Sequence, residues 1–329
     1  MILAGDIGGT KAEFALFEDV QSRKTLKEAR FICKECGSLE EIISDFLKGE
    51  SFFITHVCLG IAGPIESNVC QATNLPWVVD GKNLEKLIPG SKVFLINDLL
   101  ANAYGVRCLK GDELYTIGFG TRKEGNKALI SAGTGLGEAG FYFDGKTYHP
   151  FASEGGHCNF APSNEEEEEL LHYFRGKFDG HVSFERFLCG RGIANIYRFW
   201  VEIKKEEELP EVRERIETED PAKVIYEFAV NKKCPICIKT VKRFIAIYGS
   251  EAGNLALKYL AVGGIYIGGG IAPKMLDAFK DGIFLENFMN KGRFKGLLSA
   301  IPVEIILNPK TALLGAAQYA ENIRNKIDV

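Results

Sequence analysis

Leu3-Ala4-Gly5-Asp6-Ile7-Gly8-Gly9-Thr10-Lys11, followed by the run Ala12-Glu13-Phe14-Ala15-Leu16-Phe17, decides the fold of this chain. An apolar strand closes on a carboxylate, a turn of Gly and Thr reverses direction, and a second strand runs back. The same arrangement recurs as Ile130-Ser131-Ala132-Gly133-Thr134-Gly135-Leu136-Gly137, then Glu138-Ala139-Gly140-Phe141-Tyr142-Phe143-Asp144-Gly145. Glycines at such a turn let backbone N–H groups approach an anion closely and point at it. Two copies predict two facing phosphate cradles with nucleotide phosphates clamped between them. Phosphoryl transfer asks for that kind of positioning and charge neutralisation more than for covalent chemistry.

Outward from the first hairpin, the pattern to about residue 109 alternates strands and helices. A third strand is expected around 25–33, a helix over 39–47, buried strands at 57–61 and 93–96, and a helix from Leu99. The second hairpin occupies 128–132 and 138–143. Ser163-Asn164-Glu165-Glu166 reads as a capping box, and Glu165 to Glu169 as a solvated first turn favoured by the helix dipole. Residues 204–221, dense in Lys and Glu, predict an exposed helical excursion. A long helix is expected over 236–248 and onward through 261, a buried strand at 264–267, a last strand at 303–307 and a terminal helix over 313–325. The lobes are therefore placed at 1–109 plus 310–329, a small α/β lobe, and 110–309, a large one.

The chain has 329 residues, more than one comfortable hydrophobic core, with 46% hydrophobic and 26% charged residues. A net charge of −4 argues against general attraction to nucleic acid or anionic lipid. The start, Met1-Ile2-Leu3, enters the first strand directly, without the charged and apolar regions of a secretion signal. No stretch is apolar enough to span a bilayer. The nine cysteines then predict free thiols in a reducing cytoplasm. The pairs Cys33/Cys36 and Cys234/Cys237 lie too far apart for a zinc ribbon.

Three tempting motifs fail on context. Gly140 to Thr147 fits G-x-x-x-x-G-K-[ST], but its variable positions are aromatics in strand alternation and Tyr148-His149-Pro150 cannot open a helix. Asp144-Gly145 reads as a hairpin turn instead. Gly135 to Gly140 fits G-x-G-x-x-G, yet a strand follows where a helix is required. No H-R-D, D-F-G or G-x-S-x-G is present for a protein kinase or a nucleophile elbow.

Four groups carry chemistry. Asp6, among phosphates, makes sense with Mg²⁺ between, directly or through water; the bland alternative is an Asx turn. Asp98 ends a buried strand, where open sheets place ligands, and can take a proton from an attacking hydroxyl. It can also cap the following helix, and both roles can hold together. Asn97 can bond a sugar hydroxyl or serve the turn. Glu154 and His157, three apart around Gly155-Gly156, can converge on neighbouring hydroxyls, or the histidine can make a structural hydrogen bond. Gly268-Gly269-Gly270, after a buried strand, allow an adenosine to lie on backbone, or simply tight packing. Residues 311–316 are expected to close the nucleotide pocket.

Taken in order, Gly5 to Lys11, Leu95-Ile96-Asn97-Asp98, Gly133 to Gly137, Glu154-Gly155-Gly156-His157, Ser183-Phe184-Glu185-Arg186 and Gly268 to Pro273 resemble bacterial glucokinases. These are hexokinase-like members of the superfamily of sugar kinases, Hsp70 and actin. The resemblance implies a two-lobed actin-like, ribonuclease-H-like α/β fold with a cleft between lobes, and ATP-dependent phosphorylation of glucose at its 6-hydroxyl. It implies glucose contacts from Asn97, Asp98, Glu154, His157 and Glu185, with Asp98 as base and Arg186 structural. It implies ATP contacts from Asp6, Gly8, Gly9, Thr10, Lys11, Gly133, Thr134, Gly135, Gly268, Gly269 and Gly270, Mg²⁺ at Asp6, and a cytoplasmic homodimer. His157 is followed by Cys158-Asn159-Phe160-Ala161-Pro162, without the cysteine cluster of zinc-bearing relatives, so no zinc is expected. The rivals are a kinase for mannose, fructose or an N-acetylhexosamine, and a sugar-sensing regulator. The regulator needs a DNA-binding segment ahead of the first turn, for which a turn starting near residue 5 leaves no room.

Overall fold

The computed structural model describes residues 1–49, 52–73 and 75–325. They form two compact units, one within residues 1–113, 149–152 and 308–325, the other of 114–148 and 153–307. The expected boundaries were 109/110 and 309/310.

In the smaller unit the opening hairpin is β1 (Ile2–Ile7) and β2 (Lys11–Asp19), extended by β3 (Lys24–Ile32). After helix α1 (Leu39–Leu47) comes β4 (His56–Ile61), then a small antiparallel sheet of β5 (Ile65–Glu66), β6 (Val69–Gln71) and β7 (Val78–Asp80). Helix α2 (Gly81–Leu87), strand β8 (Lys92–Asn97) and helix α3 (Asp98–Val106) follow. The main sheet has the order β3-β2-β1-β4-β8. Its hairpin side is antiparallel, while β1, β4 and β8 run parallel.

Period-two alternation divides the residues of this sheet between two cores. Leu3, Ile7, Phe14 and Leu59 pack with α1 on one face; Ile2, Ala4, Phe17 and Cys58 pack with α3 and the C-terminal helix (Thr311–Arg324) on the other. Asp6 has the parity of Ile2 and Ala4, so it belongs to the α3 face. Helix and helix meet closely there. A Cβ on Gly315 would stand 1.7 Å from the Ala101 carbonyl oxygen, and one on Gly105 would stand 1.9 Å from that of Thr311. Residues 311–316, expected to close a nucleotide pocket, are instead buried in this helix–helix contact.

The larger unit repeats the plan. Strands β9 (Leu114–Gly118), β10 (Lys127–Ala132) and β11 (Leu136–Phe143), then β12 (Tyr148–Ser153), of which only Tyr148 and Ser153 are counted in this unit, precede helices α4 (Glu165–Lys177), α5 (Gly190–Glu202), α6 (Pro210–Thr218), α7 (Pro221–Val230) and α8 (Pro235–Lys258). Strands β13 (Gly264–Gly268) and β14 (Val303–Ile306) complete a sheet that includes the order β11-β10-β13-β14-β9. As in the smaller unit, an antiparallel hairpin is joined to parallel strands: β10 and β11 are antiparallel, and β10, β13 and β14 are parallel. Aromatic and branched residues of α5, α7 and α8 fill its core.

Two local expectations need correction. The cap of α4 sits one residue later than the sequence reading placed it. Asn164 Oδ1 accepts from Glu167 N at 3.0 Å, and Glu167 Oε2 accepts from Ser163 N at 2.8 Å. Glu167 is also no solvated residue: it is buried and pairs with Arg243 Nη1 at 2.7 Å. Asp144 Oδ1 accepts from the amides of Lys146 and Thr147, both at 2.8 Å, as a hairpin turn requires. Among the described residues, no helix is long and apolar enough to cross a membrane.

Candidate active site

In the smaller unit, β1 delivers Asp6 next to the turn Gly8-Gly9-Thr10. Gly8 N donates to the Lys11 carbonyl at 2.9 Å and closes the turn. Cys33 braces it from β3's end: its amide donates to the Thr10 carbonyl at 3.0 Å and its thiol to the Gly8 carbonyl at 3.4 Å. Asp6 pairs in register with Glu13. Burial, then the charges of Asp98 and Glu13, raise the Asp6 carboxyl to about 7. Hard carboxylate oxygens of this kind suit Mg²⁺.

Strand β8 ends at Asn97 and α3 begins at Asp98. The cap is Asn97, whose Oδ1 accepts from Leu99 N at 2.9 Å and from Leu100 N at 3.3 Å. Asp98 Oδ1 accepts from Leu99 N at 3.0 Å. The sequence reading had given the capping role to Asp98; Asn97 carries most of it. A carboxylate in the first turn of a helix is stabilised in its charged form by the helix dipole. Gly60 on β4 lets α3 approach, since a Cβ there would stand 2.8 Å from that of Ala101.

In the larger unit the turn Gly133-Thr134-Gly135 is closed by Gly133 N donating to the Gly135 carbonyl at 2.8 Å. Tyr248, wholly buried on α8, pins the strand before it. Its hydroxyl accepts from Ala132 N at 3.1 Å and donates to the Ile130 carbonyl at 3.3 Å. Glu185 reaches this turn. Its Oε2 accepts from Leu136 N at 3.1 Å and lies 2.5 Å from where a Gly135 Cβ would be. Only glycine leaves room for that carboxylate. Neighbouring Arg186 lies over the Phe178 ring, 4.4 Å from its centroid, a packing role.

Glu154 and His157 flank a short 3₁₀ turn, Gly155–His157. His157 Nε2 lies 3.8 Å from Glu154 Oε2, with the side chains 57% and 83% exposed. Both glycines between them lie tight on β11: a Cβ on Gly156 would meet the Leu136 carbonyl oxygen at 2.2 Å, and one on Gly155 would meet Glu138 Oε2 at 1.9 Å. The start of β11 thus carries Glu185 and the Glu154–His157 turn together.

A pocket of about 1050 Å³ opens beside the second turn, wholly within the larger unit. Three residues expected to bind nucleotide, Gly133, Thr134 and Gly270, line it. Gly268 and Gly269 do not: Gly268 is buried in β13, and Gly269, at φ +80°, packs on the Ala132 carbonyl. Arg191, Lys223, Lys274 and Tyr226 also line the pocket and were not foreseen. Three cations against Asp220, the one lining carboxylate, suit a polyphosphate. The available signals were Gly190-Arg191-Gly192, an arginine between glycines, and Asp220-Pro221, a helix start. Asp220 does cap α7, accepting from Ala222 N at 3.0 Å.

The repeated hairpin-and-parallel-strand sheet, with a Gly-Thr turn in each unit, is the plan of the actin-like class, to which sugar kinases belong. A glucokinase from an Antarctic psychrotroph has this fold with a TM-score of 0.81, at 30% identity and 98% coverage of both chains. A glucose complex of Balamuthia mandrillaris glucokinase shares the fold at 22% identity and a TM-score of 0.78, covering 97% of this chain and 92% of that one. The family model described as Glucokinase matches residues 3–323. A glucokinase of Nostoc punctiforme is 40% identical over 339 residues, covering 98% of this chain and 99% of that protein. The chain belongs to the glucokinase family, and its activity is the ATP-dependent phosphorylation of glucose.

Proposed function

We propose that the chain transfers the γ-phosphoryl group of ATP to the 6-hydroxyl of glucose, with Asp98 as general base. The observation that carries this reading is the clustering on the start of β11: a basic pocket beside one turn, Glu185 bonded to the same turn, and Glu154 with His157 laid against the same strand. Gly133, Thr134 and Gly270 hold the nucleotide, with Arg191, Lys223 and Lys274 neutralising its phosphates. Gly8, Gly9, Thr10 and Lys11 of the smaller unit bind nucleotide phosphate. Gly135 makes room for Glu185, and Gly268 and Gly269 aim Gly270. Glu154, His157, Glu185 and Asn97 bind sugar hydroxyls. Asp98 accepts the 6-hydroxyl proton as the new O–P bond forms, and the β–γ bond breaks to leave ADP.

Asp6 would hold Mg²⁺, directly or through water, with Glu13 and Asp98 adding negative field. Bound there, the ion neutralises phosphate charge. No structural zinc, a homodimeric assembly and a cytoplasmic location complete the reading, on the family resemblance. The lobe division at 109/110 and 309/310 stays with it.

A coupled assay of ADP release at fixed ATP and Mg²⁺, across glucose, mannose, fructose and N-acetylglucosamine, tests the proposal. Glucose should give the highest kcat/KM, and ATP turnover without sugar should be negligible. A higher kcat/KM for another hexose would reassign the substrate; sugar-independent turnover would refute the kinase reading.

A further inference from the structure

Beneath the Glu154–His157 turn lies a carboxyl for which phosphoryl transfer has no use. Glu138, on β11, is 1% exposed. Its Oε2 stands 1.9 Å from where a Gly155 Cβ would be, so the carboxyl presses on bare backbone of the turn. Ser153 Oγ completes the corner, accepting from Gly155 N at 3.2 Å and donating to the Glu138 carbonyl at 3.4 Å. The other carboxyl oxygen, Glu138 Oε1, is buried without a hydrogen-bond partner.

Glu251 of α8, also wholly buried, acts on Glu138 with a charge of the same sign. Its two oxygens are served by Lys258 Nζ at 3.1 Å and Asn254 Nδ2 at 2.8 Å. Lys258 is bound to Glu251, and Lys291, held by Ser250 Oγ at 3.1 Å, also acts on Glu251, so neither ammonium is bonded to Glu138. A second buried carboxylate, on Glu138, would have no cation bonded to it, which disfavours its charged form. Desolvation first, then Glu251, push the Glu138 carboxyl up to about 8, with Lys258 pulling the other way. The other groups in reach are Tyr248 on α8, Cys158 just past the turn, and Lys291, which donates to Ser250 Oγ at 3.1 Å.

We propose that Glu138, held neutral between Glu251 and the backbone of Gly155, is a positioning residue for the Glu154–His157 turn, and that its ionisation loosens the turn's grip on sugar. The inference rests on reading that turn as a glucose contact. Protonated, Glu138 fills the space under Gly155 without charge. Ionised, it repels Glu251 and must draw in water or move, and the turn resting on it moves too.

Calorimetric glucose titrations between pH 6.5 and 9.5 test this on the full chain. The wild-type Kd should rise with pH, approaching about tenfold per pH unit above the Glu138 midpoint. Glu138→Ala should weaken glucose binding about tenfold at pH 7 through the misplaced turn. Glu138→Gln, neutral and of the same shape, should restore binding at pH 7 and give a flat profile. Glu251→Gln should shift the alkaline limb to lower pH, because Lys258 then faces Glu138 alone and favours its carboxylate. A Glu138→Gln profile that keeps the wild-type limb, or a flat wild-type profile, would overturn the proposal. Should Glu138→Gln not fold, Glu251→Gln decides: a shifted limb supports the proposal and an unmoved one refutes it. Glu154→Gln guards the underlying reading. If it leaves glucose affinity unchanged, the turn is not a sugar contact, whatever Glu138 does.

Discussion

The two Gly-Thr turns look alike in sequence and are built differently. In the smaller unit the pairing Ile7↔Ala12 leaves four residues, Gly8 to Lys11, in the turn; in the larger unit Ala132↔Leu136 leaves three. The first turn is held from behind by Cys33, and a Cβ on Gly8 would stand at an ordinary 3.5 Å from the Lys11 carbonyl oxygen. The second is packed from the front, since Glu185 fills the place of a Gly135 side chain. The acid of the first turn, Asp6, lies on its own strand. The acid of the second comes from a segment some fifty residues on. Glycine thus serves two ends, open backbone for a ligand in one turn and room for a distant side chain in the other.

The largest expected effect breaks the comparison on the side of the smaller unit. Asp98→Asn keeps size and position next to the Asn97 cap but removes the base, so kcat should fall about 10³-fold, within the 10²–10⁴ range of general-base loss. Glucose affinity by calorimetry should stay within reach of the wild-type value. A kcat within tenfold of wild type would take Asp98 out of that role. Next comes Gly135→Ala. Its methyl cannot coexist with Glu185 Oε2 at 2.5 Å, so either the turn or the carboxylate must shift. A loss of about 10² in kcat/KM is expected, the scale of a misplacement near the reacting groups. An unchanged kcat/KM would show that Glu185 is not held where it matters.

Gly8→Ala sharpens the contrast. Gly8 has no positive φ and no close neighbour, so the fold should accept alanine with no loss in unfolding temperature. If backbone at Gly8 approaches phosphate, the methyl should raise KM for ATP about tenfold, near 1.4 kcal/mol. Unchanged KM together with an unchanged fold would remove the first turn from nucleotide binding.

What the sequence made legible follows the same line. Both hairpins, their turns, Asp6 and the Asn97-Asp98 strand end were readable because each is local: strand, turn and acid are neighbours in the chain. The helix over 39–47 was read to the residue, since its apolar spacing is contiguous in the chain. The bond between Glu185 and Leu136 was not readable, nor was the pressure of Glu138 on Gly155, because each joins distant segments. Arg191, Lys223 and Lys274 carry no role in the sequence reading, because only the fold brings them to one pocket. The C-terminal glycine, Gly315, was misread for a related reason: tight helix packing and ligand approach leave the same mark in a sequence.

The smallest effect concerns stability alone. Glu113 accepts from Arg23 Nη1 at 2.8 Å and Nη2 at 2.9 Å, from Lys110 N at 2.7 Å and from Asn308 Nδ2 at 2.6 Å. It ties the β2–β3 turn to the segment entering the C-terminal helix, far in sequence from the first phosphate turn yet in the same unit. The Arg23 bonds chiefly hold its carboxyl down to about 2, below the ordinary 4.5. A depressed carboxyl stabilises the fold fully above pH 4.5, and that contribution is lost as pH falls toward 2. With part of the group in solvent, Glu113→Gln should cost ~1–2 kcal/mol at pH 7, discounted for screening. The gap from wild type should narrow steadily below pH 4.5 in urea titrations. KM for ATP and for glucose should not move, because the first turn is held by its own closing bond and by Cys33. A rise in KM for ATP in this variant would mean that the turn depends on the frame of its unit, and the contrast drawn between a self-supported and a packed turn would fail.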